Sequence, residues 1–270
     1  MFNKIYNMSC QEGFDLLPDQ SIDCIITSPP YAQQREYGGN ASIEEEKYPQ
    51  WTVDWMEKAK RILKPDGSIM INIRPHITDG CVSDYVLKTE LAIQNAGWKH
   101  NETLTWVKND GPPLGSLERP RRAYESIFWY SQTNKPYVDL KSNGKFSKHI
   151  GFLKSKGVGE WVGGVSDGFT EGVARCQDVI MVPVSTNDRD KNNTHPAQWP
   201  EPLASWLLKL CSRKGGVIVD PFMGSGTTAV AAKLHGRQYV GFEINPDYIK
   251  IAENRIAKTS ELSSDIWDFS

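Results

Sequence analysis

A four-residue segment, SPPY at residues 28–31, carries groups that can do chemistry and directly follows the apolar stretch Ile22–Thr27. Its two prolines fix the backbone and lack N–H donors, so carbonyl oxygens project from a stiff turn. Ser28 adds a hydroxyl group, and Tyr31 adds a flat ring on which a planar group can stack. We call residues 28–31 the ledge. A nucleobase with an exocyclic amino group fits it; the alternative is an ordinary proline turn that ends a strand.

A second candidate is the turn at residues 220–228, DPFMGSGTT, which we call the glycine turn. Backbone N–H groups and the positive end of a following helix make such a turn a polar cradle. A P-loop requires a lysine after its last glycine, but Thr227 follows Gly226, which disfavours a nucleoside triphosphatase. Gly224 and Gly226 have the dinucleotide-fingerprint spacing, and Glu243, at the tip of the next predicted strand, can accept hydrogen bonds from ribose hydroxyls. The pattern predicts an adenosine cofactor; a tight turn without a ligand is the alternative.

Apolar patterns predict the elements that must position these two turns. The predicted strands are residues 22–27, 68–73, 216–220 and 238–243, and the predicted helices are residues 55–63, 203–211, 227–235 and 246–257. Residues 103–107 and 126–131 predict an antiparallel edge pair. Strands that alternate with helices predict an α/β fold with a doubly wound, mainly parallel sheet and an inserted region in the middle.

The 270-residue chain has the composition of a globular protein, with 39% hydrophobic and 24% charged residues and a mean hydropathy of -0.49. It has no apolar run of about 18 residues, so no membrane span is predicted. The N-terminus lacks the apolar region and cleavage site of a secretory signal, so we expect a cytoplasmic protein. Five scattered cysteines without a Cys-x-x-Cys pair predict neither a disulfide framework nor a metal site.

The net charge of -2 argues against a protein that coats nucleic acid by bulk charge, but the charge is unevenly spread. Residues 135–156 hold six lysines and one acidic residue, so this stretch carries +5 and the rest of the chain -7. A basic face that contacts phosphates is one interpretation, and a solvated surface is the other. The candidate phosphate ligands are Lys141, Lys145 and Lys148, with Arg119, Arg121 and Arg122 as the next candidates.

Together, the ledge and the glycine turn resemble the motifs of the DNA methyltransferases that act on amino groups. In that family one strand ends in Asp, Asn or Ser followed by Pro-Pro-Tyr/Phe, and the cofactor strand ends in an acidic-Pro-Phe-x-Gly-x-Gly turn. The order here, with SPPY first, is similar to the β group of the family. The resemblance implies a Rossmann-like fold, S-adenosyl-L-methionine as cofactor and double-stranded DNA as substrate. It also implies a catalytic half at residues 1–132, a target-recognition insertion at 133–192 and a cofactor-binding half at 193–270.

The same resemblance implies roles for individual residues. Ser28 and the Pro29 carbonyl oxygen would accept the two amino hydrogens of the target base. Pro30 would stiffen the ledge, and Tyr31 would stack on the base after it rotates out of the duplex. Ser9 departs from the family pattern, which often has an acid there near the cofactor's adenine amino group, although serine can still accept a hydrogen bond. The expected cofactor contacts are Ser9, Pro200, Asp220, Pro221, Phe222, Gly224, Gly226, Thr227 and Glu243.

The serine at the head of the ledge is typical of cytosine-N4 enzymes, whereas adenine-N6 members usually carry aspartate. The sequence therefore predicts a site-specific DNA methyltransferase that modifies the N4 amino group of cytosine. We expect it to work in a restriction-modification system, with a separate restriction endonuclease as its partner. Two alternatives remain: an adenine-N6 enzyme on the same scaffold, and a nucleic-acid-binding regulator that keeps the fold without catalysis. No metal is expected.

Overall fold

The computed structural model of the chain describes residues 1–32, 43–108, 119–144, 173–184 and 199–261. The strands in these ranges are β1 (Lys4–Asn7), β2 (Ile22–Thr27), β3 (Leu63–Ile73), β4 (Ile77–Thr78), β5 (Cys81–Val82), β6 (Lys99–Val107), β7 (Tyr124–Ser131), β8 (Val179–Met181), β9 (Val217–Asp220) and β10 (Gln238–Glu243). The helices are α1 (Cys10–Gly13), α2 (Tyr48–Ile62), α3 (Tyr85–Asn95), α4 (Glu201–Cys211), α5 (Thr227–Leu234) and α6 (Pro246–Lys258).

Within the described residues, eight strands form one sheet in the order β1-β10-β9-β2-β3-β7-β6-β8. The first five strands in this order, from β1 to β3, are parallel to one another. Strand β7 runs antiparallel to both β3 and β6, and β8 is parallel to β6. Strands β4 and β5 form a separate hairpin. The predicted α/β fold with a mainly parallel sheet is confirmed.

Helices cover both faces of the sheet because successive residues of a strand point to opposite sides. In β2, Ile25 belongs to one hydrophobic core and Ile26 belongs to the other. The first core contains residues of α1, α2 and α3, and the second contains residues of α4, α5 and α6. The strand that carries the ledge is therefore held from both sides.

Helices α2 and α6 show how local sequence signals set their bounds. Trp55 and Met56, in the predicted apolar stripe of α2, are fully buried, although the helix begins earlier than predicted, at Tyr48. Helix α6 follows Asn245, whose side chain accepts a hydrogen bond from the Asp247 N–H at 2.9 Å. Asparagine before proline is a sequence signal for the start of a helix, and this N-cap satisfies one of the unpaired donors in the first turn.

The far side of the sheet differs from the prediction. Strands β6 and β7 are the predicted pair, but β8 adds beyond β6, with Thr105 opposite Val179. Strand β8 lies within residues 133–192, so part of the predicted insertion belongs to the sheet. The sequence patterns predict neither β8 nor α3. A three-residue strand shows too little periodicity to be recognised, and its pairing depends on a distant segment.

The ends of the parallel strands define two edges of the sheet, which we call the amino edge and the carboxyl edge. Strand β2 ends at Thr27, β9 at Asp220 and β10 at Glu243, so the ledge and the glycine turn both lie at the carboxyl edge. This is where open α/β sheets bind ligands. None of the helices in the described ranges is long and apolar enough to cross a membrane.

Candidate active site

A buried carboxylate ties the ledge to the glycine turn. Asp220, the last residue of β9, is 2% exposed. It accepts a hydrogen bond from Thr27 Oγ1 at 2.8 Å, and Thr27 directly precedes the ledge. It also accepts from Thr228 Oγ1 at 2.6 Å and from the Phe222 N–H at 3.1 Å. One side chain therefore fixes the ends of β2 and β9 and the start of α5.

Asp220, one of the expected cofactor contacts, has its side chain in a buried polar environment. Burial raises the pKa of Asp220 to about 6, and the hydrogen bonds from Thr228, Thr27 and Phe222 oppose this rise. These partners occupy the carboxylate inside the protein, where a ligand has almost no access to it. The role of the side chain in this structure is to join the two turns.

The glycine turn uses several of its backbone donors within the protein. The Gly224 N–H donates to the Glu243 carboxylate at 2.8 Å. The Gly226 N–H donates to the Met223 carbonyl oxygen at 2.9 Å. These N–H groups do not point at a ligand, whereas a phosphate-binding loop directs such groups at the anion. The arrangement agrees with the sequence argument against a nucleoside triphosphatase.

Helix α6 packs against the glycine turn and supports it. Gly226 has a φ of 83°, and a Cβ atom there would lie 2.7 Å from the Ala252 Cβ, so only glycine fits. Arg255 donates to the Ser225 carbonyl oxygen at 2.6 Å and to Thr227 Oγ1 at 3.1 Å. Thr227, another expected cofactor contact, is 2% exposed, and its hydroxyl supports the turn through this contact with Arg255. The sequence patterns assign no role to Arg255.

Glu243 lies beside the glycine turn, as predicted. Its two carboxylate oxygens accept hydrogen bonds from the N–H groups of Gly224 and Asn245, each at 2.8 Å. Burial raises the pKa of Glu243, and these backbone hydrogen bonds oppose the rise. Because a carboxylate oxygen can accept more than one hydrogen bond, Glu243 still offers fixed acceptors to a pair of hydroxyl groups.

Ser9 and Pro200 begin helices. Ser9 Oγ accepts from the Glu12 N–H at 3.3 Å and lies 2.7 Å from the Glu12 carboxylate, which is a capping box for α1. An adenine contact through the Ser9 hydroxyl would compete with this cap. Pro200 is buried, and its carbonyl oxygen accepts from the Leu203 N–H at 3.1 Å at the start of α4. Helix α4 leads back to the amino end of β9, so Pro200 lies near the carboxyl edge.

Phe222 connects the glycine turn to α2. Its ring centroid lies 5.2 Å from that of Trp51 and 5.8 Å from that of Trp55. Trp55 is a core residue, as its helical spacing predicts, and Pro221 is also buried. The aromatic contacts fix the turn from the α2 face of the sheet, opposite the contacts with α6.

Tyr31 takes part in a polar cluster that the sequence patterns do not predict. Its hydroxyl oxygen lies 3.1 Å from Glu125 Oε2 and 3.4 Å from Asn72 Oδ1. Glu125 is 7% exposed and forms an ion pair with Lys108. Burial raises the pKa of Tyr31 well above its usual range, the charge of Glu125 adds to this, and a hydrogen bond from the Ser28 side chain opposes it. We call these five residues the ledge cluster.

The sequence contains one signal for this cluster. Asn72 interrupts the apolar run SIMINI, and Glu125 interrupts YESIFWYS. A polar side chain inside a buried strand must find a hydrogen-bond partner, so each residue predicts a polar contact. The identity of the partner depends on the pairing of β3 with β7, which no local pattern gives.

The predicted phosphate ligands divide between the two edges of the sheet. Arg119, Arg121 and Arg122 come just before β7, whose first residues lie at the carboxyl edge. Arg122 donates to the Pro75 carbonyl oxygen at 2.6 Å, close to the end of β3. These arginines therefore lie on the same edge as the ledge.

Lys141 lies on the opposite edge. Its segment follows β7 to the amino edge, where the Tyr137 N–H donates to the Asp66 carbonyl oxygen at 2.8 Å. Further along, Asn143 donates to the Trp206 carbonyl oxygen at 2.7 Å, on α4. The structure does not bring Lys141 together with the ledge, because β7 separates the two. Lys145 and Lys148 lie outside the described residues.

Comparisons with known proteins identify the family. The N6/N4 methyltransferase family, described as DNA methylase, matches residues 22–254. The type II methyltransferase M.ScaI of Streptomyces caespitosus is 30% identical over 267 residues, which cover 93% of this chain and 80% of that protein. The type II methyltransferase M.SmaI of Serratia marcescens is 27% identical over 288 residues, which cover 94% of this chain and 91% of that protein.

Solved structures share the fold over almost the whole chain. PvuII DNA methyltransferase, named as cytosine-N4-specific, has a TM-score of 0.73 at 21% identity, covering 97% of this chain and 87% of that chain. The M1.HpyAVI-SAM complex has a TM-score of 0.62 at 20% identity, covering 94% of this chain and 98% of that chain. The family match includes both the ledge and the glycine turn, and the chain belongs to the N6/N4 family of DNA methylases.

Proposed function

We propose that this protein is a site-specific DNA methyltransferase that transfers a methyl group from S-adenosyl-L-methionine to the N4 amino group of cytosine. The observation that carries the proposal is the serine-headed ledge, which Thr27 and Asp220 hold against the glycine turn. Serine stands where adenine-N6 members of the family usually carry aspartate. The name of the PvuII enzyme, cytosine-N4-specific, also supports cytosine as the target.

The ledge supplies acceptors for an amino group whose lone pair is delocalised into the base. Ser28 Oγ and the Pro29 carbonyl oxygen accept hydrogen bonds from its two N–H groups, which draws the nitrogen toward tetrahedral geometry and frees its lone pair for attack. Once the nitrogen carries the methyl group, it releases one of its two hydrogens as a proton to solvent. S-adenosyl-L-methionine, when bound, supplies the methyl group on a sulfonium centre. Pro29 and Pro30 hold both acceptors in place before the base arrives, so less orientational freedom is lost in the reaction.

The glycine turn and Glu243 fit the adenosine part of this cofactor. Glu243 offers fixed carboxylate oxygens for the two ribose hydroxyls. Gly224 and Gly226 let the backbone approach a ligand without a Cβ atom in the way. The internal hydrogen bonds of the turn suit a cofactor that carries no phosphate, since S-adenosyl-L-methionine needs no cradle for an anion.

Double-stranded DNA must deliver its base to the carboxyl edge of the sheet. A paired cytosine cannot reach the ledge, so the base must rotate out of the helix, and Tyr31 stacks on it. Rotation costs a few kcal/mol, and phosphate contacts offset this cost. We assign those contacts to the arginines of the same edge, Arg119, Arg121 and Arg122. The names of the relatives, type II methyltransferases, support a restriction-modification system. For that system we propose a cytoplasmic location and a separate endonuclease as partner.

The decisive experiment identifies the methylated nucleoside. Unmethylated genomic DNA is incubated with the purified protein and S-adenosyl-L-methionine, digested to nucleosides and analysed by mass spectrometry. We expect N4-methylcytosine at one short recognition sequence. N6-methyladenine instead would replace cytosine by adenine as the target. Cofactor binding without any methylated nucleoside would identify a DNA-binding regulator and refute the enzymatic assignment.

The cofactor assignment has its own test in Glu243→Ala. This variant should weaken S-adenosyl-L-methionine binding by about 1.5–3 kcal/mol, the range for hydrogen bonds to a charged group. Isothermal titration calorimetry measures the affinity, with Glu253→Ala, an exposed acid on α6, as the control. Wild-type affinity in Glu243→Ala would remove the ribose contact from the proposal.

A further inference from the structure

We propose that Glu125 is a positioning residue that anchors the hydroxyl group of Tyr31, so that the tyrosine ring stands in its stacking position before the target base arrives. The inference deepens the proposed function and rests on it, because it assumes that a rotated base stacks on Tyr31. Glu125 acts through Tyr31 and not on the base itself.

The two ends of the ledge are held from opposite directions in the sheet. At its head, Thr27 donates to Asp220 at the end of β9, the neighbour of β2 on one side. At its other end, the Tyr31 hydroxyl lies 3.1 Å from Glu125 Oε2 on β7, two strands away on the opposite side of β2. The residue that would stack on the base therefore has an anchor that does not depend on the glycine turn.

The contact between Tyr31 and Glu125 has a defined donor. A carboxylate has only acceptors, so the Tyr31 hydroxyl donates. Burial and the charge of Glu125 raise the pKa of Tyr31 well above its usual range, so the hydroxyl keeps the proton that it donates. Asn72 offers a second acceptor, because its Nδ2 donates to the Ser126 carbonyl oxygen at 3.3 Å and its Oδ1 lies 3.4 Å from the Tyr31 hydroxyl. The hydroxyl thus meets acceptors from both β3 and β7.

Glu125 is itself fixed in place, as an anchor must be. It is buried, and its other oxygen, Oε1, forms the ion pair with Lys108. Arg74 Nη1 lies 3.8 Å from the same oxygen, and Lys108 Nζ lies 4.4 Å from the centroid of the Trp106 ring. Because both cations lie at Oε1, Oε2 is left to Tyr31.

The anchor restricts the one motion that would move the ring away from the base. A tyrosine side chain swings about its Cα–Cβ bond, and its hydroxyl oxygen lies on the long axis of the ring, so a fixed oxygen fixes where the ring points. Pro30 fixes the backbone just before Tyr31. Ordering one free side chain in a complex weakens binding about three- to ten-fold. An anchored ring avoids this loss when the base binds.

The test measures how much the target base itself adds to DNA affinity. Two duplexes carry the recognition sequence: in one the target cytosine faces an abasic nucleotide, and in the other the target nucleotide is itself abasic. Fluorescence anisotropy gives both dissociation constants with S-adenosyl-L-homocysteine present, which allows no methyl transfer. We call the second constant divided by the first the base ratio. It should be at least about five in the wild type, the usual contribution of a base stacked on an aromatic ring.

Four variants separate an anchor from a structural role, because a general defect weakens the binding of both duplexes alike and leaves the base ratio unchanged. Tyr31→Phe keeps the ring without its hydroxyl and should lower the base ratio about three-fold. Glu125→Ala removes the acceptor and should lower it by a similar factor. The double variant should match Tyr31→Phe, because Glu125 acts only through the hydroxyl. Glu125→Gln should retain the wild-type base ratio, since an amide can hydrogen-bond the tyrosine hydroxyl as donor or acceptor.

Tyr130 provides the matched control for the loss of a tyrosine hydroxyl. It lies on β7, and its buried hydroxyl has no hydrogen-bond partner among the described residues. The base ratio of Tyr130→Phe should equal that of the wild type. If Glu125→Ala does not fold because Lys108 loses its partner, Tyr31→Phe and Glu125→Gln still decide the question.

Three results overturn the inference: a wild-type base ratio in Tyr31→Phe, a double variant whose loss is the product of the two single losses, or a base ratio in Glu125→Gln as low as that of Tyr31→Phe. The nucleoside analysis of the wild type tests the proposed function separately. If the wild type methylates no amino nitrogen of DNA, the proposed function fails and the inference falls with it. An active wild type with any of the three results refutes the inference only.

Discussion

Two buried aspartates mark the two edges of the sheet, and the protein holds them in different ways. Asp23, at the amino edge, is 4% exposed and accepts hydrogen bonds from Lys64 Nζ at 2.7 Å and the Val217 N–H at 2.9 Å. Asp220, at the carboxyl edge, is equally buried, but two threonine hydroxyls and a backbone N–H are its hydrogen-bond donors. The amino edge pairs its acid with a cation, whereas the carboxyl edge surrounds its acid with neutral groups.

The difference shows which edge is built for stability. Lys64 balances the charge of Asp23 where two strands begin. Burial with only neutral donors raises the pKa of Asp220 to about 6, so the ionised form of Asp220 destabilises the fold at neutral pH. Glu243 follows the same pattern, with backbone N–H partners and a raised pKa. Buried carboxylates without a cationic partner lower the stability of the fold. A functional edge keeps them because their hydrogen bonds fix the geometry of the site.

Among the substitutions that test this comparison, one at the carboxyl edge should have the largest effect, a loss of catalytic rate. Ser28→Ala should lower the single-turnover rate about 10²–10³-fold, the usual loss when one group that stabilises the transition state is removed. Its melting temperature and cofactor affinity should remain at the wild-type level, because Ser28 is half-exposed and is assigned to the base. Unchanged transfer rates in both Ser28→Ala and Tyr31→Ala would remove the ledge from the mechanism.

Asp23→Ala should have the opposite profile at the amino edge. The substitution leaves the buried Val217 N–H without its acceptor and removes the partner of Lys64. We expect a loss of about 2–4 kcal/mol in the free energy of unfolding, measured by urea denaturation. The transfer rate of the remaining folded protein should be unchanged. Asp23→Asn, which keeps one acceptor oxygen, should lose less; an equal loss would show that the charge alone matters.

Asp220→Asn should change how the free energy of unfolding depends on pH, because it removes a buried carboxyl group that has no cationic partner. In the folded protein Asp220 keeps its proton up to about pH 6, whereas an unfolded chain releases it near the ordinary value of 3.8. The folded state binds more protons between these values, so this group makes the free energy of unfolding fall as pH rises. A shift of this size corresponds to about 2–3 kcal/mol.

The measurement is the difference in unfolding free energy between the wild type and Asp220→Asn. The asparagine amide can pair with the same partners but does not titrate, so the difference should fall by that amount from about pH 4 to about pH 7. The contributions of the other titratable groups cancel in this difference, because both proteins contain them. A flat difference for Asp220→Asn would mean that its carboxyl group titrates normally.

The predictable part of the fold rests on local patterns. The apolar stripe of α2 and the Asn245-Pro246 signal of α6 lie within a few residues of the elements they specify, so the sequence alone predicts them. Strand β8 is different because three residues carry no clear period, and the pairing with β6 decides its structure. Its membership of the sheet comes from long-range contacts that a single sequence does not contain.

The candidate site divides in the same way. Strand ends are local features, so the positions of Ser28, Tyr31 and Glu243 at the carboxyl edge follow from the predicted strands. The contacts between Thr27 and Asp220 and between Tyr31 and Glu125 join residues far apart in the chain. Sequence patterns suggest that such buried polar groups need partners, but the partners depend on the order of strands in the sheet.

The smallest expected effect concerns the path of DNA across the two edges. Arg121 and Lys141 are both exposed cations, one at the carboxyl edge and one at the amino edge. A phosphate contact beside the ledge requires a cation on that edge, so Arg121→Gln should weaken binding of all duplexes alike and lower the slope of log K against log salt by about 0.9. Lys141→Gln should change neither quantity, because its segment packs against the start of β3 and the end of α4. Fluorescence anisotropy over a range of salt concentrations measures both variants.

The reverse result is a loss of binding with Lys141→Gln and none with Arg121→Gln. It would place the duplex at the amino edge, where a rotated base is too far away to reach Ser28. The ledge would then have no substrate.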